Sequence, residues 1–422
     1  MKIVSDLHIH SRFAQACSRS INIANLEKYA RMKGLNLLGT GDFAHPLWNK
    51  ELRSELQEDG SGIIRTKTGF PFILQMEISN MYSQGGKGRR VHNLLYARSF
   101  EVVDQIVEAL LKKGRLDYDG RPIFGFSCVE LVEMMKGIDK DIEIVPAHAW
   151  TPWFSVFGSK SGFDSIEECF QDQAKHIHAI ETGLSSDPPM NWRISGLDKY
   201  TLLSSSDSHS YWPWRIGREA NVFELPELTY NNVMSAIKEG DPKRFLYTLE
   251  VDPSYGKYHV DGHRECGISM TPDESAKANN ICPVCKRPLT IGVLNRVEEL
   301  ADRPEGYVPK NKVPFKHVMP LSEIISSVLG INQLYSKKIW YAYTKLVDVF
   351  GSELAVMLDA SRGDMQKVVD PKLAGAIVDL RDGKIEIKPG YDGVYGKPLF
   401  ENVPEKEVVK KVRSQKSLSD FS

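Results

Sequence analysis

The sequence has 422 residues, of which 41% are hydrophobic and 26% charged, as is usual for a globular protein with a large core and two or three domains. Its net charge of −1 at pH 7 excludes a uniformly basic protein, so any nucleic-acid binding must use local patches. Because the sequence has no apolar run of membrane-spanning length and no secretory leader, we expect a cytoplasmic protein without a membrane partner. Scattered cysteines fit a reducing compartment.

Strand-like apolar segments alternate with amphipathic helical segments from residue 1 to about residue 250. The predicted strands lie at 2–9, 35–42, 71–79, 91–97, 142–148, 177–183 and 200–207. About seven such alternations predict an α/β fold with a mainly parallel sheet that is closed, or nearly closed, into a barrel. In barrels of this kind, the functional residues lie where the strands end.

Metal-binding side chains occur at the ends of these predicted strands. The first strand delivers His8 and His10, which point the same way because they are two residues apart. Later strand ends carry Asp42, His45, Glu77, His92, His148, Glu181, Asp207 and His209. Taken singly, each could be a hydrogen-bonded structural residue or a helix cap. Their recurrence favours one shared metal site, in which Glu181 could serve only to orient a ligand and His45, beyond its turn, is the weakest member.

Histidine combined with bridging carboxylate suits Zn, Mn or Fe. Metals a few Å apart bind the attacking and leaving oxygens of a phosphoester and lower the pKa of a bound water. The strand ends therefore predict the hydrolysis of a phosphate ester or diester.

The segments around these residues resemble, in order and spacing, the motifs of the polymerase and histidinol phosphatase (PHP) superfamily. The matching segments are Asp6-Leu7-His8-Ile9-His10-Ser11, Gly41-Asp42, Glu77, His92, Pro146-Ala147-His148 and Ser206-Asp207-Ser208-His209. The resemblance implies a distorted (β/α)7 barrel with two or three divalent metals (Zn, Mn or Mg).

The same resemblance implies a distribution of ligands. His8 and His10 would share one metal with Glu77 and Asp207, and Glu77 would bridge to a second metal held by His92 and His148. His209 and Asp42 would hold a third metal. The residues expected to be catalytic are Asp207, Glu77 and His10. Many members carry a further histidine after the opening pair, where this chain has Arg12, Gln15 and Cys17, so the third ligand set is open.

A second metal motif follows the barrel. His263 and Cys266 are separated by fifteen residues from Cys282-Pro283-Val284-Cys285, which is the spacing of a structural zinc site. The alternative is buried cysteines at chance spacing. The fourth ligand is His263 by spacing, although His259 is also near.

Residues 307–347 contain six lysines, interleaved aromatic residues and a single acid, Glu323. Lysines for phosphates and aromatics for bases predict a nucleic-acid surface; the alternative is an amphipathic helix with Trp340 and Tyr343 in its core. Loops near the predicted barrel mouth add basic and aromatic residues. The candidates for DNA contact are Arg12, Lys87, Arg89, Trp150, Trp214, Arg215, Lys337 and Lys338.

Near the end of the sequence, Gln415, Leu418 and Phe421 are spaced as in the peptide that docks on the replication sliding clamp. Peptides of this kind usually carry a second aromatic residue after the first, but this chain has Ser422 at that position, so the match is incomplete. The motif predicts the sliding clamp as a partner.

Over the whole chain, these features resemble the endonuclease Q family. The resemblance implies a DNA repair endonuclease, associated with the nucleoid, that cuts 5′ to deaminated bases (uracil, hypoxanthine, xanthine) and abasic sites. It divides the chain into a barrel (1–250), a zinc element (251–300), a mainly helical, lysine-rich DNA-binding region (301–404) and an exposed tail (405–422). The alternatives are a small-molecule phosphoesterase on the same barrel and a non-enzymatic zinc-containing adaptor for the clamp.

Overall fold

The computed structural model of the protein describes residues 1–399. The strands are β1 (Lys2–Asp6), β2 (Leu37–Gly39), β3 (Leu56–Glu58), β4 (Ile64–Thr66), β5 (Pro71–Gln84), β6 (Lys87–Ala97), β7 (Ile123–Phe124), β8 (Glu143–Pro146), β9 (Ala179–Glu181), β10 (Thr201–Leu203), β11 (Ala220–Glu224), β12 (Phe245–Glu250), β13 (Asp261–His263), β14 (Ile268–Met270), β15 (Phe315–His317), β16 (Glu386–Lys388) and β17 (Lys397–Leu399). The helices are α1 (Ile23–Lys33), α2 (Pro46–Glu55), α3 (Phe100–Leu111), α4 (Cys128–Ile138), α5 (Ile166–Phe170), α6 (Pro188–Trp192), α7 (Tyr230–Glu239), α8 (Pro272–Lys277), α9 (Val293–Leu300), α10 (Leu321–Leu329), α11 (Lys337–Phe350), α12 (Glu353–Leu358), α13 (Arg362–Gln366) and α14 (Pro371–Arg381).

The predicted barrel is confirmed, and its wall is formed by β1, β2, β5, β6, β8, β9 and β10. Hydrogen-bonded ladders join β1 to β2, β2 to β5, β5 to β6 and β6 to β8, and β9 pairs with β10. The Ala149 N–H donates to the Glu181 carbonyl at 2.8 Å, which links β8 to β9. A parallel bridge between Ile9 and Ser208 links the chain after β10 back to β1 and closes the ring. Each predicted strand segment therefore overlaps one wall strand, and β5 and β6 extend beyond their predicted segments.

The sheet is less parallel than the sequence predicts, because β6 runs antiparallel to both β5 and β8. The hairpin of β5 and β6 reverses the chain inside the wall. The beginning of β6 therefore lies at the same end of the barrel as the carboxyl ends of β1, β2 and β10. His92 reaches the mouth from this reversed strand. Glu77 lies in the middle of β5 and not at its end, since β5 continues to Gln84.

Local signals set the helices that cover the barrel. Ser127 caps α4 and accepts from the Glu130 N–H, while Glu130 bonds back to the Ser127 N–H, a capping box. Gly34 ends α1 with φ of 101°, in the left-handed region that favours glycine. A Cβ atom here would lie 2.7 Å from Oγ of Ser352, so the glycine also lets the C-terminal region approach α1.

The regions after residue 250 pack directly on the barrel. β15 pairs in parallel with β12, with Thr248 opposite Phe315, and so extends the barrel sheet. Helices α10 to α14 surround a separate apolar core that includes Leu321, Ile339 and Ile377. This region is mainly helical as predicted, with β16 and β17 as an added hairpin.

Among the helices of residues 1–399, none combines the length and the apolar character needed to cross a membrane.

Candidate active site

Glu77 is the centre of a cluster of charged and imidazole groups at the barrel mouth. Its carboxylate is completely buried. Oε1 lies 2.8 Å from Nδ1 of His92 and 3.0 Å from Nε2 of His148. Oε2 lies 3.4 Å from Nε2 of His10 and 3.1 Å from Nη1 of Arg121. The two carboxylate oxygens thus face two different sets of histidines, as a bridging ligand would.

The opening histidine pair forms the second set. Nε2 of His10 lies 3.0 Å from Oδ1 of Asp207, and Nε2 of His8 lies 3.6 Å from the same oxygen. His8, His10 and Asp207 form one potential ligand group, and Glu77 forms the other with His92 and His148. The ligand atoms within each group lie within 4.8 Å of one another.

Two further carboxylates fix the orientation of the opening histidines. Glu181 accepts from Nδ1 of His8 at 3.0 Å and from the backbone N–H of His148 at 2.8 Å. Asp42 lies 3.1 Å from Nδ1 of His10. A carboxylate on the outer ring nitrogen fixes the tautomer of the neutral imidazole, so that Nε2 carries the lone pair inward once the ring has lost its second proton. Glu181 thus lies where it can orient His8, which is the role that the sequence suggested as the alternative to direct metal binding.

His209 and Asp42, the predicted ligands of a third metal, do not face each other as the ligands of the other two groups do. The ring of His209 lies 4.7 Å from the ring of His10, and its Nδ1 lies 3.0 Å from the Asp207 carbonyl oxygen. Asp42 is instead engaged by His10 and by the Ser11 N–H, at 2.6 Å. Among residues 1–399, the groups of potential ligands do not include one formed by His209 and Asp42.

His45 lies apart from both ligand groups. Its ring stacks on Phe13 with 4.3 Å between centroids. It precedes α2 without capping it through its side chain.

Three of the predicted ligands have strained backbones. The φ angles are 40° at Asp42, 30° at His148 and 47° at Asp207, in a region that non-glycine residues rarely adopt. Each such conformation costs on the order of 1–3 kcal/mol, and strain of this kind concentrates at functional sites. The surrounding fold therefore holds these side chains in place against their local preference.

The field at the opening histidines, His8 and His10, is negative. Burial opposes protonation of His10, but Asp42 and Asp207 outweigh it and raise the pKa of His10 to about 10. Burial likewise opposes protonation of His8, and Glu181 and Asp207 raise its pKa to about 9. A field that retains protons on imidazoles at neutral pH also favours divalent cations.

The residues present fit a site for divalent metals. Nε2 of His8 is buried and has no hydrogen-bond partner among the described residues, although it lies 3.8 Å from Oε1 of Glu77. An unpartnered nitrogen beside two carboxylates is costly unless it binds a ligand. His, Asp and Glu are also the donors that Zn and Mn accept.

Arg121 is a component of the site that the sequence reasoning missed. It follows a loop and carries no motif, so no local signal indicated it. It enters the cluster only because β7 pairs with β5, with Ile123 opposite Ser79.

The predicted zinc motif also comes together in space. His263, Cys266, Cys282 and Cys285 form one group of potential ligands, with 3.7 Å between Nδ1 of His263 and Sγ of Cys285. His259 lies elsewhere, with Nδ1 3.5 Å from the Ser185 carbonyl oxygen. The group therefore contains His263 and not the alternative.

The structure places two predicted DNA contacts inside the fold, which corrects those predictions. The Arg89 guanidinium packs 4.0 Å from the centroid of the Phe163 ring and bonds to Glu168. Trp150 is 1% exposed and donates to Asn191 at 2.8 Å. Both residues stabilise the loops beside the barrel and leave no surface for a nucleic acid.

Arg12 and Trp214 are also engaged within the protein. Arg12 forms a two-pronged ion pair with Glu51. Trp214 is 7% exposed, and its ring stacks on that of Trp212 at 4.7 Å and 10°. The half-buried Trp212 therefore covers the face that Trp214 would offer to a base.

The remaining predicted contacts are more accessible. Lys87 is exposed at the tip of the hairpin, and Lys337 and Lys338 are exposed at the start of α11. Arg215 is partly exposed and lies 3.4 Å from Glu323. Trp340 packs against both Trp212 and Trp214 while the lysines of α11 face solvent. Helix α11 therefore also has the features of an amphipathic helix, the alternative to a nucleic-acid surface for this region. The predicted clamp-binding residues Gln415, Leu418 and Phe421 lie outside the described residues.

Comparisons with known proteins cover almost the entire chain. Residues 320–384 match the family model of the MJ0043 C-terminal domain. The uncharacterized protein YqxK of Bacillus subtilis is 31% identical over 414 residues, or 94% of this chain and 99% of YqxK. The uncharacterized protein MJ0043 of Methanocaldococcus jannaschii is 34% identical over 258 residues, or 60% of this chain, and the match spans only 31% of that protein.

Two solved structures are similar over their full length. The lesion-specific endonuclease PfuEndoQ from Pyrococcus furiosus is 33% identical, with a TM-score of 0.85, and the match covers 97% of this chain and 98% of that one. An endonuclease Q in complex with a 27-mer duplex substrate, with an abasic lesion at the active site, is 32% identical with a TM-score of 0.86; here the match covers 97% and 99%.

The barrel, its paired ligand groups and these similarities define a metal-dependent endonuclease with a PHP-type fold. The chain belongs to the endonuclease Q family.

Proposed function

We propose that this protein is a DNA repair endonuclease that hydrolyses the phosphodiester bond on the 5′ side of damaged nucleotides. The substrates are the deaminated bases uracil, hypoxanthine and xanthine, together with abasic sites. The observation that carries the proposal is the convergence of two ligand groups on Glu77 in a chain that matches a complex of endonuclease Q with an abasic duplex over 99% of that chain.

The chain's own residues have separable roles in this reaction. His8, His10 and Asp207 would hold one metal, His92 and His148 a second, and Glu77 would bridge them. When bound, two such metals neutralise the phosphate and lower the pKa of a water. Glu181 and Asp42 orient the histidines, and the fold holds Asp207 and His148 at positive φ, against their local preference.

Access to a base inside a duplex requires that the nucleotide leave the stack, which costs a few kcal/mol and less at a damaged or mispaired position. The exposed lysines Lys87, Lys337 and Lys338 are the proposed contacts to the DNA backbone. Of the aromatic group beside His209, Tyr211 and Trp212 keep partly exposed rings, and we assign base stacking to them in place of the covered Trp214.

The group of His263, Cys266, Cys282 and Cys285 is proposed to bind one structural zinc, since a closed four-ligand site leaves no position for a substrate. The peptide Gln415, Leu418 and Phe421 is proposed to dock on the replication sliding clamp and so to bring the enzyme to nucleoid DNA.

The proposal is tested with purified protein, Mg²⁺ or Mn²⁺, and an end-labelled duplex that carries one deoxyuridine, deoxyinosine or abasic site. We expect one nick immediately 5′ to the lesion and none in an undamaged duplex of the same sequence. Equal degradation of both duplexes, or no cleavage, would contradict the proposal. Hydrolysis of a phosphomonoester without salt-dependent DNA binding would support the small-molecule phosphatase instead, and a metal content near one zinc per chain would support the adaptor.

A further inference from the structure

Arg121 is an arginine that directly contacts the carboxylate of Glu77, the proposed bridging ligand of the site. Its Nη1 donates to Oε2 of Glu77 at 3.1 Å, on the side of the carboxylate that faces His10. The Arg121 side chain is 21% exposed whereas Glu77 is completely buried. The guanidinium therefore lies beside the buried bridging carboxylate and is itself partly open to solvent, so a phosphate that binds at both ligand groups can approach it.

The guanidinium has unused donors at this position. Among residues 1–399, its one side-chain hydrogen bond is the contact with Glu77. Arginine carries five N–H donors in a planar fork, so the Nε and Nη2 groups remain available. A planar fork of this kind matches two oxygens of a phosphate group.

The segment that carries Arg121 is held on both sides. The Ser79 N–H donates to the Pro122 carbonyl at 2.9 Å, and the Gly120 N–H donates to the Phe13 carbonyl at 3.1 Å. A Cβ atom on Gly120 would lie 2.3 Å from Oδ2 of Asp42, so only glycine allows the segment to come this close. The side chain is thus positioned in advance, which is the condition for effective electrostatic stabilisation.

We propose that Arg121 is a catalytic residue that donates hydrogen bonds to a non-bridging oxygen of the scissile phosphate. During hydrolysis the oxygen of a water molecule forms a bond to phosphorus and one P–O ester bond breaks. The water gives up a proton and the departing ester oxygen gains one, so no other reactant is consumed. Negative charge on the non-bridging oxygens is countered by the guanidinium as the five-coordinate transition state forms. This role rests on the proposed phosphodiester hydrolysis.

Arg121→Met and Arg121→Lys test the proposal. Arg115→Met is the matched control, because Arg115 lies on the same loop, is 75% exposed and, among residues 1–399, pairs only with Asp117. We expect single-turnover cleavage of the abasic duplex to fall about 100- to 1,000-fold in Arg121→Met, with partial activity in Arg121→Lys and none of this loss in Arg115→Met. The metal content per chain, measured by mass spectrometry, and duplex binding in the cleavage-deficient Asp207→Asn background should stay within about threefold of the parent.

A methylphosphonate at the scissile position, prepared as separate stereoisomers, gives a second test. Where the methyl group replaces the oxygen that Arg121 contacts, Arg121→Met should cause little further loss. An equal loss with both stereoisomers and with the normal phosphate would overturn the proposal. Wild-type cleavage in Arg121→Met would also overturn it, as would a loss of metal or DNA binding that accounts for the lower rate.

Hydrolysis of bis(4-nitrophenyl) phosphate separates this proposal from the repair function. If the wild-type protein hydrolyses this diester but does not nick damaged DNA, the repair function fails. A rate that still falls about 100-fold or more in Arg121→Met would then support the role of Arg121, and an unchanged rate would overturn it.

Discussion

Lys33 at the end of α1 and Glu353 at the start of α12 form a buried ion pair with 2.7 Å between Nζ and Oε1, across 320 residues of sequence. The Lys33 Nζ also donates to the Pro213 carbonyl at 2.9 Å. Glu353 accepts further hydrogen bonds from the Leu321 N–H at 2.9 Å and from the Tyr343 hydroxyl at 2.8 Å. The ion pair thus joins the barrel, the loop beyond His209 and the C-terminal helices.

Replacing this carboxylate should destabilise the protein. Glu353→Ala would leave the Lys33 ammonium buried without its partner, which costs about 3–5 kcal/mol. We expect a lower midpoint in urea denaturation, followed by circular dichroism. Asp364→Asn is the control, because its pair with Lys367 is exposed and exposed pairs contribute at most about 1 kcal/mol. Equal effects of the two substitutions would contradict the role given to Glu353.

Loss of the central carboxylates should abolish cleavage. Glu77→Gln or Asp207→Asn removes a proposed metal ligand. The rate of cleavage of an abasic duplex should therefore fall by more than about 100-fold, which is the largest loss expected when a residue that only orients a ligand is replaced. DNA binding, measured by fluorescence anisotropy, should remain largely intact. Unchanged cleavage in both variants would refute the site.

Glu181→Gln should have an intermediate effect. The variant keeps the proposed ligands but weakens the hold on His8 and on the backbone of His148, so we expect about a 10- to 100-fold loss of activity or of metal affinity. A metal titration followed by single-turnover cleavage measures both quantities. Full activity at every metal concentration would show that the orientation of His8 does not depend on Glu181.

The zinc group gives a prediction that separates two neighbouring histidines. His263→Asn should lose about one zinc per chain and destabilise residues 251–300, because a structural zinc contributes directly to folding. His259→Asn should retain the zinc. Zinc content by mass spectrometry and protease susceptibility provide the measurements, and zinc loss in His259→Asn alone would reverse the assignment.

Stability should fall as the pH rises from about 4.5 to about 7 because of Glu250. Burial raises the pKa of this carboxyl from 4.5 to about 7. In that interval the unfolded chain has released the proton and the folded chain retains it, so the free energy of unfolding falls as the pH rises.

Glu250→Gln should flatten this dependence, since its amide can still accept from Thr182 without ionising. Denaturation midpoints between pH 4.5 and 8 would show the change of slope. Glu133→Gln, on the exposed face of α4, controls for the loss of one negative charge. An unaltered slope in Glu250→Gln would count against the protonated state.

The barrel and its ligand groups could be predicted because both depend on local pattern. The two-residue spacing places His8 and His10 on one side of the segment that follows β1, and the rule that functional residues follow strand ends brings Asp207 near them. The same rule did not predict that β6 is reversed, because strand direction is set by the hairpin that precedes it. His92 was found only because its residue type fits the motif.

The features of the site that could not be predicted from the sequence depend on contacts between residues that are far apart along the chain. Arg89 and Trp150 look like surface contacts in the sequence, yet Phe163 and Asn191, which are distant along the chain, enclose them. Arg121 has no motif at all and reaches Glu77 through the pairing of β7 with β5. The positive φ at Asp42 depends on the whole barrel mouth and has no sequence signature.

The pairing of β15 with β12 has a consequence for dissecting the protein. A fragment ending at residue 300 would retain every proposed active-site ligand but would expose the backbone N–H and C=O groups of Thr248 and its neighbours. Such an open edge is a template for pairing with other chains. Removing the C-terminal third should therefore produce self-association before it produces an isolated, active barrel.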